Sequence, residues 1–297
     1  MDYVRKLITG IVCIFILSVA LPVKAYTQQK LLTSTEELSK IMHNPNVRIL
    51  DAVDPALYNR AHIPGAINIF YQNLTKIEER KKNGFPISEK EAEKIFSDAG
   101  IDSGTQVVVY DGGEGAFASG VWFVLDFFGH KNVRVLDGGF RKWISEGRPV
   151  AQSVSKVEKK KFAAKPRSEM IVTTEWIREN LGIKGLVILD SRSLKEYIGV
   201  DVRPGASRGG HIPGAIHLEW VEVSDKINSF KSIEELEKVF KQRGITKDIA
   251  VVTYCHSGIG RSTELAFALK LLGYNKVYEY TGSWEAWSSD PRLPIEK

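Results

Sequence analysis

One thiol in this sequence is placed for covalent chemistry. Cys255 opens the stretch Cys255-His256-Ser257-Gly258-Ile259-Gly260-Arg261-Ser262-Thr263. Before it, Ile249-Ala250-Val251-Val252-Thr253-Tyr254 reads as a buried strand. After it, Leu265, Ala266, Leu269, Leu271 and Leu272 continue at helical spacing. The thiol therefore stands at a strand end, in a glycine-bearing loop that runs into a helix N-terminus. Backbone N–H groups and the positive end of the helix dipole favour negative charge there, stabilising a thiolate and an anion bound beside it. Sulfur or phosphorus chemistry follows from that placement.

The other candidates lie around this thiol. His256, Ser257, Gly258, Ile259 and Gly260 form the loop, with the two glycines permitting a tight backbone path. Arg261 can turn back and pair with an oxyanion, or stand as a solvent-exposed arginine at a helix start. Ser262 or Thr263 is expected to cap the helix. Arg192, two residues after Asp190 at the end of another strand, is a candidate anion ligand; a structural Asp190–Arg192 pair is the competing reading. Arg203 and Arg208 offer further positive charge. His256 either tunes the thiol, touches substrate or faces water. No His, Cys or carboxylate cluster has metal-ligand spacing, so no metal is expected.

These residues need elements to hold them, and an internal repeat supplies two sets. Val107-Val108-Val109-Tyr110-Asp111 aligns with Val251-Val252-Thr253-Tyr254-Cys255 at an offset of 144, which also relates Gly138 to Gly282 and Trp143 to Trp287. His62-Ile63-Pro64-Gly65-Ala66 recurs as His211-Ile212-Pro213-Gly214-Ala215. A histidine present in both copies reads as structural. Asp111 takes the position of the cysteine in the first copy and Phe117 that of Arg261, so the first copy is expected to be inactive and to cover the second.

Strand and helix patterns alternate within each copy. In the second, helices are predicted at 173–181, 194–197, 233–243 and 283–287, and strands at 186–190, 215–218, 249–254 and 276–280. The predicted fold is α/β, with two tandem domains, each a mostly parallel sheet flanked by helices. Ligands in such sheets bind beyond the carboxyl ends of strands, where Cys255 falls. Expected bounds are 26–150 for the inactive domain, 151–168 for a solvated, lysine-rich linker, and 169–297 for the catalytic domain.

The 297 residues allow two ordinary domains, and 43% hydrophobic with 26% charged content is that of a soluble globular chain. Arg5 and Lys6 precede an apolar run from Leu7 to Leu21, and Val23-Lys24-Ala25 ends in a small residue. Residues 1–25 read as a secretory signal peptide, giving an exported, periplasmic protein with no stable membrane span after cleavage. Of the net charge of +5, Arg5, Lys6 and Lys24 against Asp2 account for +2 and leave +3, too little to argue for nucleic acid. Removing Cys13 with the signal leaves Cys255 as a free thiol. A monomer is expected, because one chain holds the domain pair.

Taken together, the sequence resembles the tandem-domain rhodaneses, the thiosulfate and 3-mercaptopyruvate sulfurtransferase family. The resemblance rests on Leu189-Asp190-Ser191-Arg192, both His-Ile-Pro-Gly-Ala turns, Tyr110-Asp111-Gly112-Gly113, Leu136-Asp137-Gly138-Gly139-Phe140, Tyr254-Cys255 and Gly282-Ser283-Trp284. It implies a fold of two rhodanese domains and a Cys255 persulfide, loaded by a small anionic donor such as thiosulfate. A thiol or cyanide acceptor, or a protein thiol, then removes the sulfur, and no cofactor is implied. Two departures stand out. The C-x5-R loop is about one residue longer than rhodanese loops usually are, and resembles cysteine-dependent phosphatases and arsenate reductases. Glu196 stands where mercaptopyruvate-type enzymes carry a substrate arginine, which favours thiosulfate. A non-enzymatic persulfide carrier is the third reading.

Overall fold

A computed structural model describes residues 29–226 and 229–297, so the expected signal segment lies outside the described residues. The strands are β1 (Leu32–Thr33), β2 (Val47–Asp51), β3 (Ile67–Asn68), β4 (Gln106–Tyr110) and β5 (Val133–Leu136), then β6 (Leu186–Asp190), β7 (Ile216–His217), β8 (Ala250–Tyr254) and β9 (Val277–Glu279). They make two sheets, ordered β1-β5-β4-β2-β3 and β7-β6-β8-β9, with every pairing parallel. The central strands β4 and β8 are predominantly apolar because helices cover both faces of their sheets. In the second sheet, the place of β1 is taken by a single parallel bridge between Ile171 and Glu279.

Helices Ala116–Phe127 and Arg261–Leu271 follow β4 and β8 and are buried along nearly their whole length. Each packs on its own sheet and on the other helix. Trp122 meets Phe267 edge to face at 4.8 Å. The Ser119 and Thr263 hydroxyls touch at 3.2 Å, and these residues are repeat equivalents, 144 positions apart. Contact between equivalent residues is the mark of an approximate two-fold relation between the domains.

The segment 151–168 departs from the solvated linker expected. Ala151 pairs with His62, Lys160 and Phe162 bond to Ser97, Lys165 and Arg167 bond to the Phe128 and Phe127 carbonyls, and Phe162 is buried against Phe96. The lysines mark a solvated outer side, while the apolar side of the strap lies on the first domain.

Candidate active site

Parallel pairing of β8 between β6 and β9 brings Cys255 out at the carboxyl end of the central strand. Its loop turns through Gly258 at φ +102° and Gly260 at φ +103°, left-handed values that favour glycine at both positions. A Cβ on Gly258 would stand 2.5 Å from the Thr281 carbonyl oxygen. Gly260 then serves as N-cap of helix Arg261–Leu271 and donates its N–H to Thr263 Oγ1 at 3.1 Å. Of the two capping candidates, Thr263 takes that role, while Ser262 turns inward to the Glu279 carboxyl.

Cys255 is only 2% exposed, yet it lines a cleft of about 320 Å³ between the domains. Burial opposes ionisation of the thiol. The Arg261 charge, the Ser262 hydroxyl and the N–H groups of Ser257 and Ser262 outweigh it, and the thiol is shifted below its ordinary value. His256, Ser257, Ile259, Gly260 and Arg261 share the cleft, as does Arg203. The His256 ring is anchored by Nε2, which donates to the Pro204 carbonyl at 2.8 Å, and burial lowers its pKa, so the ring is neutral. From the first domain, Tyr71, Gln72, Glu114, Ala116 and Phe117 form the facing wall, with Tyr71 stacked on Phe117 at 4.2 Å.

Three expected ligands are placed differently. Arg192 does not reach the cleft. It is 1% exposed, bonded to both oxygens of Asp190 and to the Gly210 carbonyl, and covered by the Trp284 ring at 4.6 Å. The structural pair is the correct reading, because a guanidinium buried against Asp190 and covered by Trp284 is not presented to the cleft. Gly258 shapes the loop but faces Thr281 and Arg80 rather than the cleft. Arg208 is tied to the carbonyls of Trp287, Ser288, Asp290 and Leu293.

Arg261 lies in the cleft but is already partnered, through two bonds of 2.6 and 3.0 Å to Glu196. Burial would raise the Glu196 pKa; Arg261 and the Ser193 cap reverse this and hold it at about 2. Positive charge at the rim is therefore largely balanced, and among the described residues Arg203 is the exposed cation lining the cleft.

The first domain shows what its equivalent loop does without a thiol. Asp111 Oδ1 accepts from the N–H groups of Gly113 (2.9 Å) and Gly115 (3.1 Å), and Oδ2 from Phe117 and Ala118 (3.1 Å each). The carboxyl group thus occupies the N–H donors of its own loop, which in the second domain face the thiol.

The rhodanese-like domain family matches residues 34–146 and again 173–290. The chain belongs to the rhodanese family. Its tandem rhodanese architecture extends to curated relatives. The sulfur carrier protein TtuD of Thermus thermophilus is 35% identical over 286 residues, covering 92% of this chain and 98% of the relative. The thiosulfate sulfurtransferase of Azotobacter vinelandii is 30% identical, covering 88% and 94%. Among solved structures, EanB in complex with ergothioneine superposes with a TM-score of 0.84 at 25% identity, covering 94% of this chain and 72% of that one. At family level this rhodanese is a sulfurtransferase or persulfide carrier.

Several site residues of this rhodanese escaped the sequence reading. Tyr71 and Trp220 line the cleft from short 3-10 turns that carry no motif. Arg80 crosses from the first domain, bonding the Thr281 carbonyl at 3.1 Å and Glu285 at 2.8 Å, and braces the back of the Cys255 loop. Glu279 was also missed. Comparing the repeats would have exposed it, since the equivalent residue on β5 is Val135.

Proposed function

We propose that this protein moves a sulfane sulfur from thiosulfate to a thiophilic acceptor through a Cys255 persulfide. The observation that carries the reading is a buried thiol with lowered pKa on the floor of an interdomain cleft, ringed by loop N–H donors and Arg261. The Cys255 thiolate attacks the outer sulfur of thiosulfate. A new S–S bond forms, the old S–S bond breaks, and sulfite leaves with the electron pair. An acceptor thiol or cyanide then attacks the terminal sulfur and regenerates the thiolate, giving ping-pong kinetics. The loop N–H groups face one negative charge on sulfur before and after transfer, so the same donors serve thiolate and persulfide. Loop donors and Arg203 supply most of the attraction for the donor dianion, because Glu196 engages Arg261.

Purified protein mixed with thiosulfate and cyanide should form thiocyanate, and Cys255→Ser should abolish it. Turnover of an aryl phosphate in place of thiocyanate would overturn the reading. The likeness to TtuD supports a second, carrier reading, in which intact-mass analysis after thiosulfate treatment finds a stable added sulfur but slow release to small acceptors. Export through residues 1–25 belongs to this proposal, and N-terminal sequencing that finds Tyr26 first would support it.

A further inference from the structure

Beneath Cys255 the second domain holds a polar group that the first domain lacks. In a strand, alternate residues share a face, so Thr253 lies on the Cys255 side of β8, and parallel register places Glu279 of β9 beside it. Thr253 Oγ1 bonds Glu279 Oε2 at 2.6 Å, and Ser262 at the helix start bonds Glu279 Oε1. Ser262 also faces the Cys255 sulfur, its N–H and hydroxyl both favouring the thiolate. Glu279, Ser262 and Thr253 are all fully or nearly fully buried. Their repeat equivalents in the domain without a thiol are Val135, Ala118 and Val109, all apolar. The hydroxyls and the carboxyl therefore accompany the cysteine, and the same fold stands without them.

We propose that Glu279 is a positioning residue: it and Cys255 hold one proton between them, exchanged through the Ser262 hydroxyl and kept on the carboxyl, so that sulfur is the anion of the pair. Among the described residues Glu279 has no cation in ion-pair contact. An ionised carboxylate there would put two like charges across one hydroxyl in a dry interior. The other polar groups around the pair are the Ile259 carbonyl, which accepts from the thiol at 3.7 Å, Arg261 (bound to Glu196) and His256 from the loop side, and Ser283, with Oγ 3.9 Å from the sulfur. Arg80 lies behind the loop with Glu285, while Arg203 and Glu114 line the cleft. Every cation in this shell that touches a carboxylate touches one other than Glu279. Burial, reinforced by the neighbouring sulfur, pushes the Glu279 pKa far up, in the same direction.

The proton path is short. The thiol S–H gives its proton to Ser262 Oγ while Ser262 passes its own to the Glu279 carboxylate; one S–H bond breaks, one carboxyl O–H forms, and nothing is oxidised. The resulting carboxylic acid donates to Ser262 Oγ, whose O–H is then free to donate to the thiolate. Thr253 completes the set by donating to the second carboxyl oxygen. The inference rests on Cys255 being the nucleophile of the proposed function, but its readout needs neither donor nor acceptor.

The test follows iodoacetamide alkylation of Cys255 in the full chain against pH, read by mass spectrometry of the peptide that contains it. In Glu279→Gln the neutral amide replaces a neutral acid, so the midpoint should stay within about half a pH unit of the parent. In Ser262→Ala the thiolate loses its hydroxyl donor and the midpoint should rise by about one unit. An ionised Glu279 would instead make Glu279→Gln lower the midpoint by about a unit or more, by removing a like charge, and would overturn the proposal. An unmoved midpoint in Ser262→Ala would also overturn it. Difference infrared spectroscopy of Glu279→Gln against the unaltered protein at neutral pH should show the carbonyl stretch of one protonated carboxyl lost, over any band from buried Glu264 that both share; no loss overturns the proposal, as does the absence of any such band in the unaltered protein if the variants fail to fold. A protein that forms no thiocyanate can still pass these tests, so failure of the relay and failure of the sulfurtransferase reading are told apart.

Discussion

Glu196→Gln separates what the rim salt bridge does for stability from what it does for the donor. The Glu196 carboxylate accepts two bonds from Arg261 and one each from the Ser193 N–H and hydroxyl, and its pKa falls from an ordinary 4.5 to about 2. A depression of about 2.5 units corresponds to about 3 kcal/mol favouring the charged, folded form. The Arg261 side chain keeps 16% exposure in the cleft, and solvent screening reduces this to about 2 kcal/mol. Because the folded pKa is the lower one, the contribution is complete above the unfolded value near 4.5 and is lost as pH falls towards 2. Glutamine can still accept from Ser193 but carries no charge. Urea unfolding should therefore find the variant about 2 kcal/mol less stable at pH 7, with a gap of about 1 kcal/mol at pH 3. Arg261, released from its partner, should lower the KM for thiosulfate several-fold at pH 7 while moving kcat little. A stability gap that is the same at pH 3 and pH 7, or a KM that rises, would refute the reasoning.

Two further outcomes follow from the buried charges. Arg192→Met leaves Asp190 charged and unmatched in the interior and should cost about 3–5 kcal/mol in urea unfolding, while the folded fraction alkylates at Cys255 as before. Asp111→Ala strips the acceptor from four loop N–H groups and should destabilise the first domain by about 2–3 kcal/mol, seen as a lower melting temperature; an unchanged one would mean the cradle does not need its anion.

The tandem rhodanese fold was legible because its signals are local and occur twice. The apolar runs of β4 and β8, the Ser232 and Thr173 caps and the paired turns each specify an element within a few residues. Cys255 was legible for the same reason, since strand, glycine loop and helix follow one another without a break. What stayed hidden depends on partners far apart in the chain. Arg261 and Glu196 are 65 positions apart, and nothing in the loop says that its arginine is already engaged. Arg80 and Glu285 are 205 apart, and that strut exists only once the domains are packed. Arg192 misled because an arginine beside a strand end fits anion binding and a buried ion pair equally well; the Trp284 ring that covers it decides between them, and that ring lies in another helix.

The contact between Ser119 and Thr263 gives one chain the geometry that two copies would need an association equilibrium to reach. Dilution cannot part the wall bearing Tyr71 and Phe117 from the sulfur it faces, so reactivity per molecule should not depend on protein concentration. The same covalent tie lets either side of the groove change by itself, without imposing the mirrored change that identical subunits must accept.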